Sequence, residues 1–227
     1  MSDLFLDPAL VIALLLNFYM LTMSRLKHLI YAVAAQGALL GLLYPIVHEG
    51  FIAAEQGHQE GPLIHLRLVY LTMAIVAIKG LVIPRFLMQA VRLADVRSTV
   101  TSVIGYIPTL LLAALATALT VLFARSLPVP HGIDSHLLIP ASLATVLSGF
   151  ILLITRREAM AQVLGYIVLE NGIFIFGLLL IEAVPLLVEL GVVLDLFVGV
   201  FVMGIIFNHV GRAFPEASSE HLATLKE

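Results

Sequence analysis

Four polar side chains lie inside segments of the chain that are otherwise suited to hydrocarbon. They are Glu170 in "GYIVLENGIFIFGL", Asp195 in "GVVLDLFVGVF", Lys79 in "AIVAIKGLVIP" and Gln36 in "YAVAAQGALLG". A charge at the centre of a bilayer costs at least ~2.5–3.5 kcal/mol, so such a residue must be neutral, paired or directed to a polar interior. Ionisable groups at that depth are candidates for a proton relay.

The two carboxylates fall on helices that are joined by a tight turn around Pro185. At ~1.5 Å of rise per residue their depths differ by roughly 7 Å, which excludes a shared proton but can be bridged by water. Proton transfer along a helix hairpin requires a stepped pair of this kind. Alternatively, Glu170 is a packing residue that stays protonated or pairs with Lys79, and Asp195 is close enough to the interface to be hydrated.

Lys79 and Gln36 are predicted at a similar depth on two other helices. A buried lysine can gain and lose a proton, or it can form a fixed ion pair with Glu170, Asp195 or a partner subunit. The sequence leaves both interpretations open. Gln36 offers hydrogen bonds without a charge and is the weaker candidate.

Other small and polar residues on the same segments are better explained by helix packing. Asn17 and Asn171 favour hydrogen bonds between helices, and Gly165 and Gly172 favour close approach of two backbones.

The composition indicates a protein that crosses a membrane several times. The chain has 227 residues, of which 61% are hydrophobic and 12% charged, and its mean hydropathy is +1.08. Such values are typical of polytopic membrane proteins. The net charge of −3 and the lack of a basic patch speak against a nucleic-acid partner. The chain has no cysteine, so any iron–sulfur cluster of its assembly must belong to another subunit.

Seven apolar stretches are long enough, or nearly so, to cross the ~30 Å hydrocarbon layer as helices. The predicted spans are 8–23, 29–52, 64–90, 98–124, 137–154, 161–182 and 187–209. Acidic residues precede the first span where a signal peptide needs positive charge, so we expect this span to be retained. Lysine and arginine concentrate in alternate loops, which predicts an outside N-terminus and a cytoplasmic C-terminus.

A faint repeat relates the two ends of the chain. "SRLKHLIYAVAAQGALLGLL" is similar in texture to "TRREAMAQVLGYIVLENGIFIFGLL", since each has a basic loop, then an apolar helix with one polar residue. Two parallel three-helix units are predicted, as in some transporters. The alternative is that the two segments look alike only because each is a basic loop followed by a helix. The proposed division is residues 1–97, residues 98–136 with the fourth helix, and residues 137–227.

No catalytic motif, metal cluster or cofactor site is indicated by the sequence. The alternative of a b-type cytochrome rests on single histidines near helix ends, namely His28, His48, His65 and His209. No paired histidine spacing recurs on one helix, so the chain is predicted to bind no cofactor. The lack of a catalytic motif predicts that it is non-catalytic by itself.

The segments "LLITRREAMAQVLGYIVLENG" and "LDLFVGVFVMGIIFNHVGRAF" resemble the small K-type subunit of respiratory complex I and the C subunit of Mrp-type antiporters. By position, Glu170 matches the first carboxylate of that family and Asp195 the second, where complex I usually has glutamate. Nearly the whole chain, with a lysine at Lys79 and the ending "EHLATLKE", resembles the hydrogenase-4 membrane component E family.

This resemblance implies a membrane subunit of a complex-I-like, energy-converting hydrogenase of the formate hydrogenlyase type, in the cytoplasmic (inner) membrane of a bacterium or archaeon. It implies contact with an anchor subunit and antiporter-like subunits, while a peripheral arm holds the nickel–iron site. Glu170, Asp195, Lys79 and Gln36 are then expected to contribute to a proton or charge relay. The alternatives are an Mrp-type cation/proton antiporter component and a purely structural helical spacer.

Overall fold

The computed structural model describes residues 3–54, 62–93, 100–127 and 135–180, together with positions 190, 191, 193, 194, 197, 199, 201 and 204. The elements of this part are helices, and none is a strand. They are α1 (Asp3–Thr22), α2 (Leu26–Ala54), α3 (Pro62–Ala77), a π segment (Ile78–Val82), α4 (Ile83–Leu93), α5 (Tyr106–Ala124), α6 (Leu138–Thr155) and α7 (Ala159–Leu179).

Six of the helical stretches in the described ranges are long and apolar enough to cross a membrane. This confirms the prediction of an all-α integral membrane protein. The predicted seventh span, 187–209, lies mostly outside the described residues, so the count of seven and the orientation stay predictions. The three-part division and the repeat also stay predictions.

The helix predicted over 98–124 begins later, at Tyr106. Residues 100–105 instead form a loop that is bonded to the loop between α1 and α2 and to the last residue of α6. Val100 N donates to Ser24 O at 2.6 Å, and Val103 N donates to Thr155 O at 2.8 Å. Because these backbone amides already have carbonyl partners elsewhere in the chain, extending the helix would add no hydrogen bonds for them.

The predicted third span is one helical run with a π segment in its middle. The Ile83 N–H donates to the Ile78 carbonyl, five residues back, instead of four. Pro84 follows at once, and a proline has no N–H for the carbonyl of Gly80, four residues earlier. The wider turn relieves that conflict, and such π turns are frequent at functional sites. It places Lys79 in the interior, with 3% of its surface exposed.

Glycines let the interior helices approach one another closely. A Cβ on Gly172 would lie 2.5 Å from Val146 N, and one on Gly165 would lie 2.9 Å from Leu153 N, so α6 and α7 touch through their backbones. The predicted packing role of these two glycines is confirmed. A comparable contact joins α2 to the lysine segment, where a Cβ on Gly37 would lie 2.7 Å from Lys79 Cβ.

Two apolar clusters fill the ends of the bundle, and both include residues of α1, α2, α6 and α7. The first contains Met20, Leu26, Ile83, Leu152 and Leu164. The second contains Leu10, Leu40, Ile75, Leu138 and Ile175. Along each of the four helices, the positions between the two clusters hold the buried polar side chains described next. We call these positions the polar layer.

Candidate functional site

Lys79 and Glu170 lie together in the interior of the bundle. Lys79 Nζ is 3.9 Å from Glu170 Oε1, and their side chains are 2% and 4% exposed. The distance is that of an ion pair and is too long for a direct hydrogen bond. The ammonium also lies 5.5 Å from the centre of the Phe174 ring, one turn further along α7, where a cation is attracted to the ring face.

A chain of hydrogen bonds leads away from Lys79 through the polar layer. Lys79 Nζ donates to Asn171 Oδ1 at 3.2 Å, and Asn171 Nδ2 donates to Gln36 Oε1 at 3.1 Å. Gln36 Nε2 donates to Asn17 Oδ1 at 2.9 Å, and Asn17 Nδ2 donates to Thr145 Oγ1 at 2.8 Å. The chain thus links the π segment to α7, α2, α1 and α6 in turn. We call it the amide chain.

The sequence places these side chains by simple helical geometry. Glu170 and Asn171 are consecutive, so they point about 100° apart around α7 and reach different neighbours. Gln36 precedes Gly37, whose missing side chain lets Lys79 come against α2. All members of the amide chain are buried, with Gln36, Thr145 and Asn171 at 0% exposure. Buried polar groups of this kind are stable only when they are hydrogen-bonded, as they are here.

A small cavity of about 30 Å³ adjoins the ion pair. Its walls include Lys79, Glu170, Phe174, Gly191 and Leu194. This volume is enough for one water molecule, and Lys79 and Glu170 supply the charged groups among walls that are otherwise apolar. An ion pair separated by 3.9 Å beside such a space is well suited to a bridging water.

Comparison with known proteins assigns the chain to a protein family. Over 164 residues the chain is 34% identical to Uncharacterized protein Rv0085 of Mycobacterium tuberculosis, which covers 70% of this chain and 73% of that protein. The chain belongs to the same family. It is also 28% identical over 116 residues to Hydrogenase-4 component E of Escherichia coli K12 and of Shigella flexneri. No family model and no solved structure matches.

The match to Hydrogenase-4 component E covers 51% of this chain and 54% of that protein, so the chain spans about half the length of those relatives. The predicted relation to the hydrogenase-4 component E family is confirmed at this distance. The predicted resemblance to the K-type subunit of complex I and the Mrp C subunit stays a prediction.

In this member of the family the structure brings together three of the four residues singled out by sequence. Lys79 and Glu170 form the ion pair, and Gln36 joins them through Asn171. Asp195 lies outside the described residues. Of the histidines considered for haem, His28 is exposed, and the side chains of the other three lie outside the described part.

The prediction that Asn17 and Asn171 form hydrogen bonds between helices is confirmed, whereas Thr145 was not considered. Asn171 adjoins Glu170, and Asn17 interrupts "LLLNFYM", so an amide within a long apolar run was the available signal. Thr145 gives no such signal, because a helical threonine usually bonds its own helix backbone and draws no attention in an apolar segment.

A second buried charge, Arg156, lies between α6 and α7, where it is 1% exposed. Its guanidinium donates to Leu21 O and stacks 5.0 Å from the centre of the Tyr106 ring. Burial lowers the pKa of Arg156, against the raising influence of Tyr106 and Glu158.

Glu158 fixes the loop that precedes α5. Burial opposes ionisation of its carboxyl. Hydrogen bonds from the Thr101 hydroxyl and amide, with the nearby charge of Arg156, outweigh burial and hold the pKa of Glu158 below its ordinary value. This junction ties three loops together at one end of the bundle.

Proposed function

We propose that this protein is a non-catalytic membrane subunit of a hydrogenase complex of the complex-I-like, energy-converting type, and that it contributes a proton or charge relay. The buried pair of Lys79 and Glu170 beside a water-sized cavity is the observation that carries the proposal. The relation to Hydrogenase-4 component E supports the kind of assembly. The partners are then an anchor subunit and antiporter-like subunits in a bacterial or archaeal cytoplasmic membrane, with a peripheral nickel–iron arm.

In this function Glu170 accepts and releases a proton while Lys79 supplies a nearby positive charge. Ionised Glu170 is stabilised by Lys79, and a shift of charge in a neighbouring subunit changes the balance between its two forms. Water in the adjoining cavity provides the contact through which the proton arrives or leaves. Asp195, on the following span of the sequence, is the candidate for the next station.

A helical spacer is the second candidate, and the glycine contacts between α6 and α7 favour it. Backbones that touch at Gly165 and Gly172 make a rigid pair. The outer face of α5 presents Ile107, Leu111 and Leu115 to lipid or to a partner. In this reading the buried charges only fix helix register, and neutralising Glu170 leaves proton transport unchanged.

Replacement of Glu170 by glutamine in the native complex separates the two candidates. Proton uptake is measured in inverted membrane vesicles during turnover, together with hydrogen production or oxidation and the electrophoretic mobility of the complex. The relay predicts that redox activity persists while the pH gradient collapses. Glu170→Asp keeps a carboxyl and is expected to retain part of the gradient. Ser142→Ala, a buried change on α6 outside the amide chain, is the matched control.

A gradient and turnover equal to those of the wild type in Glu170→Gln would reject the relay and leave the spacer. Purification of the chain in mild detergent identifies the assembly independently. Nickel and hydrogenase subunits in the purified material support a hydrogenase complex. A set of Mrp subunits, with sodium-dependent exchange in the absence of a redox substrate, would replace it by the antiporter alternative.

A further inference from the structure

All the side-chain hydrogen bonds of the amide chain are donated in one direction, away from Lys79 and toward α6. Each amide accepts with its carbonyl oxygen on the Lys79 side and donates with its NH₂ group on the other. Because each amide accepts on one side and donates on the other, the next amide must accept and donate in the same direction. Chains of hydrogen bonds with a common direction polarise one another, so each bond strengthens the next.

Two backbone carbonyls fix this direction. The Thr145 hydroxyl donates its only proton to Ala141 O at 2.7 Å, so it can only accept from Asn17. Gln36 Nε2 lies 3.3 Å from Ala13 O, which accepts and cannot donate. The NH₂ groups of Asn17 and Gln36 must therefore face α6 and α1. Since Gln36 then presents its oxygen to Asn171, Asn171 must present its own oxygen to Lys79.

From this we infer that the Asn171 carbonyl is a fixed hydrogen-bond acceptor for the Lys79 ammonium. Its orientation is set through Gln36, Asn17 and Thr145. Glu170 is then the group of the ion pair that exchanges a proton. The inference rests on the proposed relay and assigns its roles. Asn171, Gln36, Asn17 and Thr145 act as positioning residues, because none of them carries the proton itself.

The chemistry of the two neighbours of Lys79 explains this division. Neutralising Glu170 removes the opposite charge 3.9 Å from Lys79, and an uncompensated buried charge is strongly destabilising. The Asn171 carbonyl has no titrating group, so it continues to accept from Lys79 in both states of Glu170. Since amides do not exchange protons as carboxyls do, the proton path leaves Glu170 through the cavity, away from the amide chain.

The direct test observes Lys79 in the full chain in lipid nanodiscs. The chain has three lysines, Lys27, Lys79 and Lys226, so ¹⁵N-lysine labelling gives three side-chain signals, and Lys79→Arg assigns one of them. Thr145→Val removes the terminal acceptor without touching Lys79. We expect it to shift the Lys79 Nζ signal. Thr155→Val, on the same helix, also removes a buried hydroxyl that bonds only its own helix, and it is expected to leave that signal unchanged.

An unshifted Lys79 signal in both Thr145→Val and Asn17→Leu would overturn the inference, and so would an equal shift in Thr155→Val. This result does not depend on transport. Normal coupling of turnover to proton uptake in Glu170→Gln would therefore contradict the relay. The nanodisc spectra would still test whether the Asn171 carbonyl accepts a hydrogen bond from Lys79.

Proton uptake in vesicles gives the second readout. We expect Thr145→Val to lower uptake per turnover roughly threefold to fifteenfold, the rate equivalent of measured interhelical hydrogen bonds in membranes. Gln36→Glu in its protonated form accepts from Asn171 and donates to Asn17 as glutamine does. Its uptake is expected to match the wild type at low pH and to fall as pH rises, with the complex still assembled. Gln36→Leu cannot form these hydrogen bonds and is expected to lower proton uptake at every pH. The oriented chain would be contradicted if uptake in Gln36→Glu had the pH dependence of the wild type, or if it were as low as in Gln36→Leu at every pH.

Discussion

Gly37 and Lys79 are in direct contact across the interface between α2 and the π segment. A Cβ on Gly37 would lie 2.7 Å from Lys79 Cβ, which is closer than real Cβ atoms come, and 3.3 Å from Lys79 O, which is a tight contact. The position of the buried ammonium is therefore set by the absence of a side chain on the neighbouring helix. This contact and the Asn171 carbonyl hold Lys79 from two sides.

Gly37→Ala is expected to displace Lys79 from Asn171 and Glu170, because the added methyl group must move the lysine backbone. Overpacking of this kind costs about 1–3 kcal/mol of stability. We expect a lower melting temperature of the purified chain in detergent and a lower proton uptake in vesicles. Gly199→Ala is the control, since no atom of the described residues lies within 4 Å of a methyl group there. Equal melting temperatures and equal proton uptake in the two variants would show that the contact between Gly37 and Lys79 is loose.

Removing either member of the Lys79–Glu170 pair is expected to destabilise the fold more than removing both. Lys79→Met strands a buried carboxylate, and the loss of one partner of a buried pair costs about 3–5 kcal/mol. The double variant Lys79→Met with Glu170→Gln leaves no charge behind and should recover part of that loss. The check is a double-mutant cycle on unfolding in detergent. Strictly additive losses would mean that the two charges do not interact.

The loop before α5 is expected to loosen in acid. The folded-state pKa of Glu158 lies below its ordinary value of about 4.3. Its stabilising contribution is therefore complete above that ordinary value and is lost as the pH falls through the lower folded-state pKa. Hydrogen exchange of the Thr101 amide, which donates to Glu158 at 2.9 Å, should accelerate over that range. Glu158→Gln should abolish this pH dependence, and an unchanged profile in that variant would assign the effect to another group.

Arg156 and Arg157 are neighbours with opposite environments, so they make a matched pair. Arg156 is buried against the face of Tyr106, whereas Arg157 is exposed. Lysine lacks the planar group that stacks on a ring, so Arg156→Lys should cost about 1–2 kcal/mol of unfolding free energy. Arg157→Lys should stay within about 0.5 kcal/mol of the wild type. Similar melting temperatures for both variants would contradict a role for stacking.

Sequence alone predicted the membrane helices because length and hydrophobicity decide whether a segment can cross a bilayer. The bounds of α6 and α7 fell within three residues of the predicted limits. The start of α5 did not, because Val100 bonds to the loop between α1 and α2 and Val103 bonds to the end of α6, and no local pattern shows these contacts. The prominence of Glu170 and Lys79 was equally a property of the sequence, since an ionisable residue in an apolar run is costly wherever it points.

The tertiary structure decided which partner each of these residues has. The sequence allowed Lys79 to pair with Glu170, Asp195 or another subunit, and the fold places it 3.9 Å from Glu170 and 3.2 Å from Asn171. Hydrophobicity is nearly non-directional, so it determines that a helix is buried in the membrane but not which face meets which neighbour. Hydrogen bonds depend on distance and angle, and only the packed helices bring Asn17, Gln36 and Thr145 into one chain.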